Sequence, residues 1–465
     1  MHASHHLSEE ILKACDIRGI VGDDLNEKDA FFIGKAFGTS LIRMGKKRCL
    51  VGFDGRFSSP SLSRRLIEGL ISCGISVTKI GLVPTPELYF AMHHWNMDAG
   101  VVVTASHNPA EYNGFKFLSS EGPFHGKAIQ EFRRLCENGD FEEGEGSECF
   151  HSIDDDYIMY LLGHLKLPEA RTLSVVWDPG NGSAGKILPS IVKGLPGSHR
   201  IICGEVDGSF PNHHPDPSLK ENMNMLAGAV KEEHADLGIA FDGDGDRIGV
   251  VDGEGYIFMG DQLLTIFARD FLASHPGATV MSEVKASRFF FDDVASHGGV
   301  PLMWKVGHTN QKEKMKREGI GLAGETSGHI FFEENRGYDD GFFAAIKLIN
   351  ILSRSSQSIT EMRKAFPRFY DSGEIRITLS RKKREGVVKE ISQRLKEKGI
   401  PFTDIDGIRA HCGDGFWMLR GSNTQPHITI RCEAASPAGL DACMITMRKE
   451  LALSGITESM LEAKG

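Results

Sequence analysis

Three aspartates at alternate positions form the sharpest chemical signal in the sequence. An apolar stretch ends at Asp242, and Asp244 and Asp246 follow, each preceded by a glycine. Carboxylates this close repel one another unless a cation neutralises them, and hard oxygen ligands in a short loop suit Mg²⁺. The glycines let the loop turn tightly enough for all three side chains to point inward. Arg247 follows directly and offers a bidentate donor of the kind that binds phosphate.

The acidic loop has two other interpretations. An EF-hand calcium loop requires glycine at its sixth position and glutamate at its twelfth, whereas Arg247 and Gly253 stand there, so that interpretation fails. The second is an acidic turn that is solvated and binds no ion. The alternation of aspartate with glycine directly after an apolar segment favours the metal site.

A serine stands where a predicted strand breaks into a loop, in the stretch V-V-V-T-A-S-H-N-P. The hydroxyl of Ser106 either bonds a neighbouring amide or carries a chemical group. The residue types alone leave both possibilities open, so the rest of the chain has to decide between them.

Two further loops are rich in polar groups. Glu325, Ser327 and His329 alternate in L-A-G-E-T-S-G-H, so in an extended chain they face the same side, where they suit the hydroxyls of a sugar. Near the C-terminus a glycine-containing turn crowds donors suited to phosphate oxygens, namely Arg420, Ser422, Asn423 and Thr424. The alternatives are a solvated loop and a plain hairpin turn. His213 and His214 could be metal ligands, but between prolines they are expected to fix the shape of a loop.

Composition bounds the class of protein. A chain of 465 residues with 40% apolar and 25% charged residues is typical of a soluble protein of three or four domains. The net charge of -10 without a basic run argues against nucleic-acid binding. No apolar run is long enough for a membrane helix, and the polar N-terminus does not read as a signal peptide. The nine scattered cysteines lack a C-x-x-C pair, which suits a reducing cytoplasm better than disulfides or zinc.

Short apolar runs alternate with amphipathic stretches, a pattern typical of α/β units around a mostly parallel sheet. From Ser372 onward the pattern changes to an α+β unit with antiparallel strands. A strand is predicted at Arg200–Val206, and the acidic, glycine-rich stretch Asn138–Ser147 suits a linker. The expected domains are 1–150, 151–256, 257–368 and 369–465.

Taken in order, the T-A-S-H-N-P, D-G-D-G-D-R and G-E-T-S-G-H motifs resemble those of the α-D-phosphohexomutase family, in its bacterial phosphomannomutase/phosphoglucomutase branch. The resemblance extends from D-I-R-G at Asp16–Gly19 to R-G-S-N-T-Q-P and includes F-P-N-H-H-P-D-P. It implies four domains around a central cleft, with three related mixed-sheet α/β domains and a C-terminal α+β domain. It also implies small sugar phosphates as ligands, and no obligatory protein partner is indicated.

The resemblance implies that Ser106 carries a phosphoryl group and, with the aspartates Asp242, Asp244 and Asp246, holds one Mg²⁺ per chain. The phosphoserine would give its group to the 6-hydroxyl of a hexose 1-phosphate. The resulting hexose 1,6-bisphosphate, which is also an activator, would turn around and return the 1-phosphate to the serine. The product would be a hexose 6-phosphate of mannose, glucose or both.

Further roles follow from the same resemblance. Lys116 and His329 are the candidate bases, His107 orients the serine, and Arg18 and Arg247 lie near the transferring phosphate. The residues implied for substrate binding are Glu325 and Ser327 at the 3- and 4-hydroxyls, Lys285 and His308 along the site, and Arg420, Ser422, Asn423 and Thr424 at the non-reacting phosphate.

The sequence departs from the family pattern at four positions. Cys15 stands where tyrosine is common, Thr326 where methionine is frequent, and Gly421 and Gln425 where alanine and glutamate are usual. Phosphoglucosamine mutase is the alternative within the family, although its sugar loop usually reads G-E-Q-S-G-H. Outside the family, a haloacid-dehalogenase-like phosphatase would use Asp242 as nucleophile, and a sugar-phosphate binding protein would not catalyse at all. Neither explains T-A-S-H-N-P.

Overall fold

The structure is a computed structural model that describes residues 4–13, 15–120, 122–166, 171–422 and 427–462. The strands within these residues form four sheets, one for each quarter of the chain, and helices pack against each sheet. Three sheets are mixed and the last is antiparallel. The predicted fold class, three α/β units followed by an α+β unit, is confirmed.

The first unit is a seven-stranded sheet with four helices. Its strands are β1 (Ile17–Ile20), β2 (Arg48–Phe53), β3 (Ser76–Leu82), β4 (Ala99–Val103), β5 (Tyr112–Ser119), β6 (Gly122–Pro123) and β7 (Ser147–Phe150). Its helices are α1 (Glu27–Arg43), α2 (Ser59–Ile71), α3 (Thr85–His94) and α4 (Lys127–Asn138). A cap formed by Asn26 and Asp29 fixes the start of α1.

Helices α1 and α2 pack closely because two glycines face each other. A Cβ atom on Gly34 would lie 2.2 Å from the Leu66 carbonyl oxygen, and one on Gly69 would lie 2.1 Å from that of Phe31. Any larger residue would push the helices apart, so this contact depends on glycine.

The second and third units each contain a four-stranded sheet. The second unit comprises α5 (Asp154–Gly163), β8 (Leu173–Asp178), α6 (Leu188–Lys193), β9 (Gly197–Ile201), α7 (Asn224–Glu232), β10 (Leu237–Phe241) and β11 (Ile248–Asp252). The third comprises α8 (Gly260–Ser274), β12 (Thr279–Glu283), α9 (Arg288–Ser296), β13 (Val300–Trp304), α10 (His308–Glu318), β14 (Leu322–Gly324), β15 (Ile330–Phe332), α11 (Gly341–Arg354) and α12 (Ile359–Lys364).

The same four-strand arrangement occurs in all three α/β units. A central strand (β2, β8 or β12) pairs in parallel with the next two strands of its unit, one on each side. The second of these (β4, β10 or β14) then pairs antiparallel with the strand that follows. The connection between those last two strands carries T-A-S-H-N-P in the first unit, D-G-D-G-D-R in the second and E-T-S-G-H in the third. The repeat that the sequence does not reveal is therefore present in the topology.

The fourth unit is an antiparallel sheet covered by helices. Its strands are β16 (Tyr370–Asp371), β17 (Ile375–Thr378), β18 (Phe402–Thr403), β19 (Ile408–Cys412), β20 (Gly415–Gly421) and β21 (His427–Ala434), and its helices are α13 (Arg381–Glu397), α14 (Pro437–Ala452) and α15 (Glu458–Glu462).

The second and third units share one continuous hydrophobic core, whereas the first and fourth have cores of their own. In the shared core, Phe342 at the start of α11 stacks on Phe241 at the end of β10, with ring centroids 4.6 Å apart. Phe241 directly precedes Asp242, the first residue of the acidic loop, so this contact holds the start of that loop. None of the helices in the described part of the chain combines the length and apolar character needed to cross a membrane.

Two local predictions were wrong. The stretch Asn138–Ser147 is not a linker, because it returns to the first sheet and leads into β7, which pairs with β3. Glycine is needed at its end, since a Cβ atom on Gly146 would lie 2.1 Å from the Ile75 carbonyl oxygen. The strand predicted at Arg200–Val206 lies earlier, at Gly197–Ile201.

Candidate active site

Ser106 lies at the end of the fully buried strand β4, in a left-handed backbone conformation with φ of 51°. Its amide donates to the Thr104 hydroxyl at 2.8 Å, and its own hydroxyl donates to the Asp242 carboxylate at 2.6 Å. A non-glycine residue in this conformation costs energy and persists only when its surroundings hold it. The first unit thus presents a serine hydroxyl directly to the acidic loop of the second.

Arg56, which sequence reasoning missed, holds this loop in shape. Its guanidinium is buried, pairs with Asp54 at 3.1 Å, and donates to backbone carbonyl oxygens at 2.6–3.0 Å. Those oxygens belong to Ser106, Asn108, Pro109 and Tyr112. The sequence carries no signal for this role, because the partners lie about fifty residues away along the chain.

The three aspartates converge as predicted and are fully buried. The Lys116 ammonium lies between two of them, 2.6 Å from Asp244 and 2.6 Å from Asp246. Burial raises the pKa of Asp242 well above its usual range, and repulsion from Asp246 adds to it. Burial also opposes ionisation of Asp244, but Lys116 outweighs it and lowers the pKa of that carboxyl. The loop is therefore a concentrated negative charge that one lysine only partly neutralises.

This donor set fits a divalent cation. One carboxylate oxygen from each aspartate lies within 4.8 Å of the others. One oxygen of Asp244 and one of Asp246 are buried without any hydrogen-bond partner among the described residues, which is costly unless a cation satisfies them. Backbone contact brings the serine close, since a Cβ atom on Gly243 would lie 2.4 Å from the Ser106 carbonyl oxygen.

Arg247 links the loop that carries Ser106, here called the serine loop, to the loop that carries Glu325, Ser327 and His329, here called the sugar loop. Its guanidinium contacts the Nδ1 atom of His107 at 2.6 Å and donates from Nε to Nε2 of His329 at 3.1 Å. His107 Nδ1 lies 3.3 Å from the Ser106 hydroxyl oxygen, and the orienting role expected of this histidine stays a prediction. Burial, followed by the charge of Arg247, lowers the pKa of His107 well below its usual range.

A buried carboxylate behind the sugar loop was not expected from the sequence. Asp339 contacts the Nδ1 atoms of His329 at 3.1 Å and His308 at 3.4 Å, and it also pairs with Lys312. The Nδ1 atom of His329 therefore carries the hydrogen, as assigned from its partner, and Nε2 accepts from Arg247. Burial lowers the pKa of His308 to about 4. No motif points to Asp339, because its partners come from α10 and from the loop that carries His329.

Glu325 and Ser327 lie together as predicted, with the hydroxyl 3.3 Å from the carboxylate. The Gly307 amide donates to Glu325 at 2.6 Å. Burial raises the pKa of Glu325 to about 7, and the nearby Glu283 carboxylate adds to the effect. The Thr326 hydroxyl donates to Glu283, so the departure from the family pattern at this position leaves Glu325 and Ser327 in contact.

Three other predicted residues, Arg18, Lys285 and Arg420, each pair with a carboxylate. Arg18 pairs with Asp16 at 2.7 Å and donates to Asn108 of the serine loop at 2.6 Å. Lys285 pairs with Glu374 at 3.0 Å. Arg420 donates from Nε to Asp406 at 3.2 Å, while its buried Nη2 has no hydrogen-bond partner among the described residues.

The predicted phosphate loop is only partly described. The Ser422 amide donates to the His427 carbonyl at 2.9 Å and its carbonyl accepts from Arg384 at 2.6 Å. Asn423, Thr424 and the departure at Gln425 lie outside the described residues.

Comparison with known proteins agrees with this fold and site. Models of the phosphoglucomutase/phosphomannomutase family match along the chain, as alpha/beta/alpha domain I over residues 9–143, domain II over 155–255, domain III over 259–370 and the C-terminal domain over 374–449. The chain belongs to this family. The resemblance drawn from the motifs and the expectation of an enzyme are therefore confirmed.

Relatives with different names are similarly close. The chain is 40% identical over 454 residues to the phosphomannomutase/phosphoglucomutase of Pseudomonas aeruginosa, with 96% of each chain covered. It is 40% identical over 444 residues to a phosphoglucomutase of Neisseria gonorrhoeae, covering 94% of this chain and 95% of the relative. It is 35% identical over 435 residues to a phosphomannomutase of Salmonella typhimurium, covering 91% and 94%.

Solved structures share the whole architecture. A crystal structure of a phosphoglucomutase/phosphomannomutase family protein from Burkholderia thailandensis superposes with a TM-score of 0.91 at 36% identity, covering 97% of this chain and 98% of the other. Parafusin, a phosphoglucomutase from Paramecium, has the same fold, with a TM-score of 0.75 at 18% identity, covering 99% and 97%.

Proposed function

We propose that the chain interconverts hexose 6-phosphates and hexose 1-phosphates of mannose, glucose or both, through a phosphoserine at Ser106 and a hexose 1,6-bisphosphate. The observation that carries this proposal is the 2.6 Å contact between the Ser106 hydroxyl and Asp242. It brings the acidic loop of one unit onto the hydroxyl of another, so a phosphate on Ser106 would meet whatever cation the aspartates hold.

Asp242, Asp244 and Asp246, together with the phosphate on Ser106, would hold one Mg²⁺, which when bound neutralises charge on the transferring phosphoryl group. Lys116 and Arg247 contribute the protein's own positive charge on two sides of the loop. Groups already in place before the reaction stabilise developing charge without reorganisation.

The first transfer moves the phosphoryl group from serine to sugar. The oxygen of the sugar 6-hydroxyl attacks phosphorus, and a base takes the hydroxyl proton. The bond from phosphorus to Ser106 Oγ breaks, and the released oxygen takes up a proton to become the hydroxyl that donates to Asp242. Lys116 is the weaker candidate, because two carboxylates hold it in its charged form and, against the effect of burial, raise its pKa. His329 has an unprotonated Nε2, which would exchange the hydrogen bond from Arg247 for one from the sugar hydroxyl. The second transfer returns the 1-phosphate to Ser106 through the same bond changes.

Recognition of the substrate falls to the other two units. Glu325 and Ser327 bind the 3- and 4-hydroxyls, and His308 and Lys285 line the site. Arg420, with Ser422, Asn423 and Thr424, holds the phosphate that does not react. Among the described residues the buried Nη2 atom of Arg420 has no hydrogen-bond partner, which supports this assignment because a buried donor on a charged group favours an anionic ligand.

The geometry argues against a phosphatase that uses Asp242 as nucleophile. One oxygen of Asp242 accepts from Ser106, and the other accepts from the Arg247 amide at 3.2 Å. Its side chain is fully buried. A buried carboxylate whose two oxygens are both bonded inside the protein is badly placed to attack a substrate, although each oxygen keeps a lone pair for a cation.

Mass spectrometry of purified protein tests the proposal. A fraction of the chains should be one phosphate heavier, with the group on the T-A-S-H-N-P peptide and resistant to hydroxylamine, which cleaves an acyl phosphate. Ser106→Ala should stay unlabelled by hexose 1,6-bisphosphate and lose most turnover. Ser120→Ala is the control: it removes an exposed serine of the same unit and should behave as wild type. Label on Asp242, or full turnover in Ser106→Ala, would contradict the mechanism.

We infer that both mannose and glucose phosphates are substrates. The two sugars differ at the 2-hydroxyl, whereas the proposed contacts of Glu325 and Ser327 are to the 3- and 4-hydroxyls. The values of kcat/KM for the two sugars should lie within about tenfold. A difference of about a thousandfold would reveal a polar contact at the 2-position. Glucosamine phosphate, assayed alongside, tests the phosphoglucosamine mutase alternative.

A further inference from the structure

A second group of metal-binding side chains lies outside the active site, in the second unit. Asp178 ends strand β8, Cys203 follows β9, and His213 belongs to F-P-N-H-H-P-D-P. One ligand atom from each lies within 4.8 Å of the others. The cysteine spacing in the sequence does not suggest a metal site; the fold brings one cysteine to an aspartate and a histidine.

Both ring nitrogens of His213 face oxygen atoms. Its Nδ1 lies 3.0 Å from the His214 carbonyl oxygen, so Nδ1 carries the hydrogen and Nε2 presents a lone pair. That Nε2 lies only 3.0 Å from the Asp178 carboxylate. Two lone pairs at this distance repel each other unless a proton or a metal ion lies between them. Metal-binding histidines commonly donate their other ring nitrogen to a backbone carbonyl in this way.

The group combines a buried carboxylate with a more exposed imidazole. The side chain of Asp178 is only 1% exposed, while that of His213 is 14% exposed. The group is therefore anionic at its base and open on one side, where an ion and a water molecule can enter.

The backbone directs the cysteine toward this group. Cys203 adopts a left-handed conformation with φ of 47°, which is uncommon for a residue with a side chain. Its carbonyl oxygen accepts from the Asn181 amide at 2.9 Å, which ties it to the turn after β8. Cys203 is a free thiol whose Sγ lies 3.4 Å from Sδ of Met225, a contact that a metal ion would replace.

We propose that Asp178, Cys203 and His213 bind a Zn²⁺ ion, with water as the fourth ligand. An oxygen, a thiolate sulfur and an imidazole nitrogen suit this borderline-soft ion, whose tetrahedral shell places ligand atoms about 3.3 to 3.7 Å apart. Binding would release the thiol proton of Cys203 and any proton on Nε2 of His213 to solvent, which leaves three ligands in the forms that coordinate metal.

The ion would clamp a loop that supports the active site from behind. The loop that carries His213 continues to Pro215, whose carbonyl accepts from the Gly243 amide at 3.2 Å, and to Asp216, which lies 3.5 Å from Arg247. Fixing His213 to the ends of β8 and β9 therefore fixes two contacts of the acidic loop. The site is structural, because no substrate-facing residue belongs to it.

Cobalt substitution distinguishes this site from the aspartate triad. Metal-free protein titrated with Co²⁺ in excess Mg²⁺ should develop a thiolate-to-cobalt charge-transfer band that saturates at one equivalent, since the triad has no sulfur. Cys203→Ser and His213→Gln should lose the band, whereas Cys149→Ser, which removes an exposed cysteine, should keep it. Zn²⁺ should compete the band away.

Two results would overturn the proposal. One is the absence of a charge-transfer band in wild type at saturating Co²⁺; the other is a band that persists in Cys203→Ser. Should the variants fold poorly, zinc-edge X-ray absorption on wild-type protein loaded with one equivalent of Zn²⁺ decides the matter. One sulfur neighbour supports the site, and an all-oxygen shell contradicts it. None of these readouts depends on mutase activity.

Discussion

The centre where Ser106 meets the aspartates and the rim where Arg420 lies are built in opposite ways. At the centre, contacts of 2.6 Å join Ser106 to Asp242 and Lys116 to both neighbouring aspartates. At the rim, Arg420 has one partner, Asp406 at 3.2 Å, and a buried nitrogen with none among the described residues. The proposed reacting centre is thus assembled in advance, whereas the proposed phosphate site keeps a buried donor for its ligand.

This difference suits a reaction in which one sugar must bind in two orientations. The reacting phosphate always meets the same serine and the same carboxylates, so those groups can be fixed. The phosphate that does not react is at the 1-position in one orientation and at the 6-position in the other. Its binding site therefore has to recognise the charge of the phosphate more than the shape of the sugar beside it. We therefore expect substitutions at the centre to lower kcat and substitutions at the rim to raise KM.

The largest effect should come from Asp244→Asn, which removes a charge at the centre. We expect kcat at saturating Mg²⁺ to fall about 10³-fold, because a carboxylate proposed to hold the cation is gone. Asp252→Asn is the matched control: it alters an equally buried carboxylate of the same unit, bonded to Arg363 away from the site. A loss of less than tenfold in Asp244→Asn would show that the centre does not depend on this charge.

Substitution of two adjacent aspartates distinguishes an effect on the orientation of catalytic side chains from an effect on stability. Asp339→Asn should lower kcat about 10- to 100-fold with little change in KM, because the carboxylate that orients His329 and His308 is weakened. Asp340 instead accepts from the Phe343 amide and caps α11. Asp340→Ala should therefore lower the free energy of unfolding by about 1–2 kcal/mol and leave kcat near that of wild type.

Chemical denaturation and steady-state kinetics on both variants check this prediction. Equal losses of kcat in the two would mean that Asp339 acts only through the packing of its surroundings. Recovery of activity in Asp339→Glu, which restores the charge, would support its orienting role.

At the rim, Arg420→Ala should raise KM about tenfold and change kcat less. A hydrogen bond from a charged donor contributes about 1.5–3 kcal/mol, and about 1.4 kcal/mol corresponds to tenfold in binding. Arg448→Ala on α14 is the control, since this exposed arginine of the same unit pairs with Glu458 and lies away from the site. An effect of Arg420→Ala confined to kcat would place this arginine at the centre of the reaction.

The smallest effect concerns pH. Burial, and then repulsion from Glu283, raises the pKa of Glu325 to about 7, so below that pH its protonated form accepts sugar hydroxyls poorly. KM should fall several-fold as the pH rises from 6 to 8, and Glu325→Gln should flatten this dependence. The stability contribution has the opposite sense: it is full below the usual carboxyl pKa of 4.5 and is lost as the pH rises through about 7. A KM that does not change with pH would contradict the assignment.

How far the sequence predicts this site depends on how local the signal is. The three aspartates and Arg247 occur in a short motif whose residue types are chemically unusual together, and the resemblance to the family added Ser106, so these residues could be named without a structure. The fold class was predictable for a similar reason, because alternating apolar and amphipathic runs indicate α/β units.

Residues that act through distant partners could not be predicted. Arg56 holds carbonyl groups about fifty residues away, and Asp339 joins side chains from α10 and the sugar loop. Each is an ordinary charged residue in sequence. The linker predicted at Asn138–Ser147 was wrong for the same reason. Its glycines allow the chain to pass close to the backbone of the first unit and do not indicate flexibility.

The shared strand order of the three α/β units bears on how such an enzyme can change over time. The serine, the cation ligands and the sugar contacts stand on equivalent connections of three separate sheets, so each loop can vary while the other two keep their supports. A new sugar preference then requires substitutions in the third loop alone, and the machinery for moving phosphate is inherited intact. Selection can act on the choice of substrate and on the chemistry one at a time.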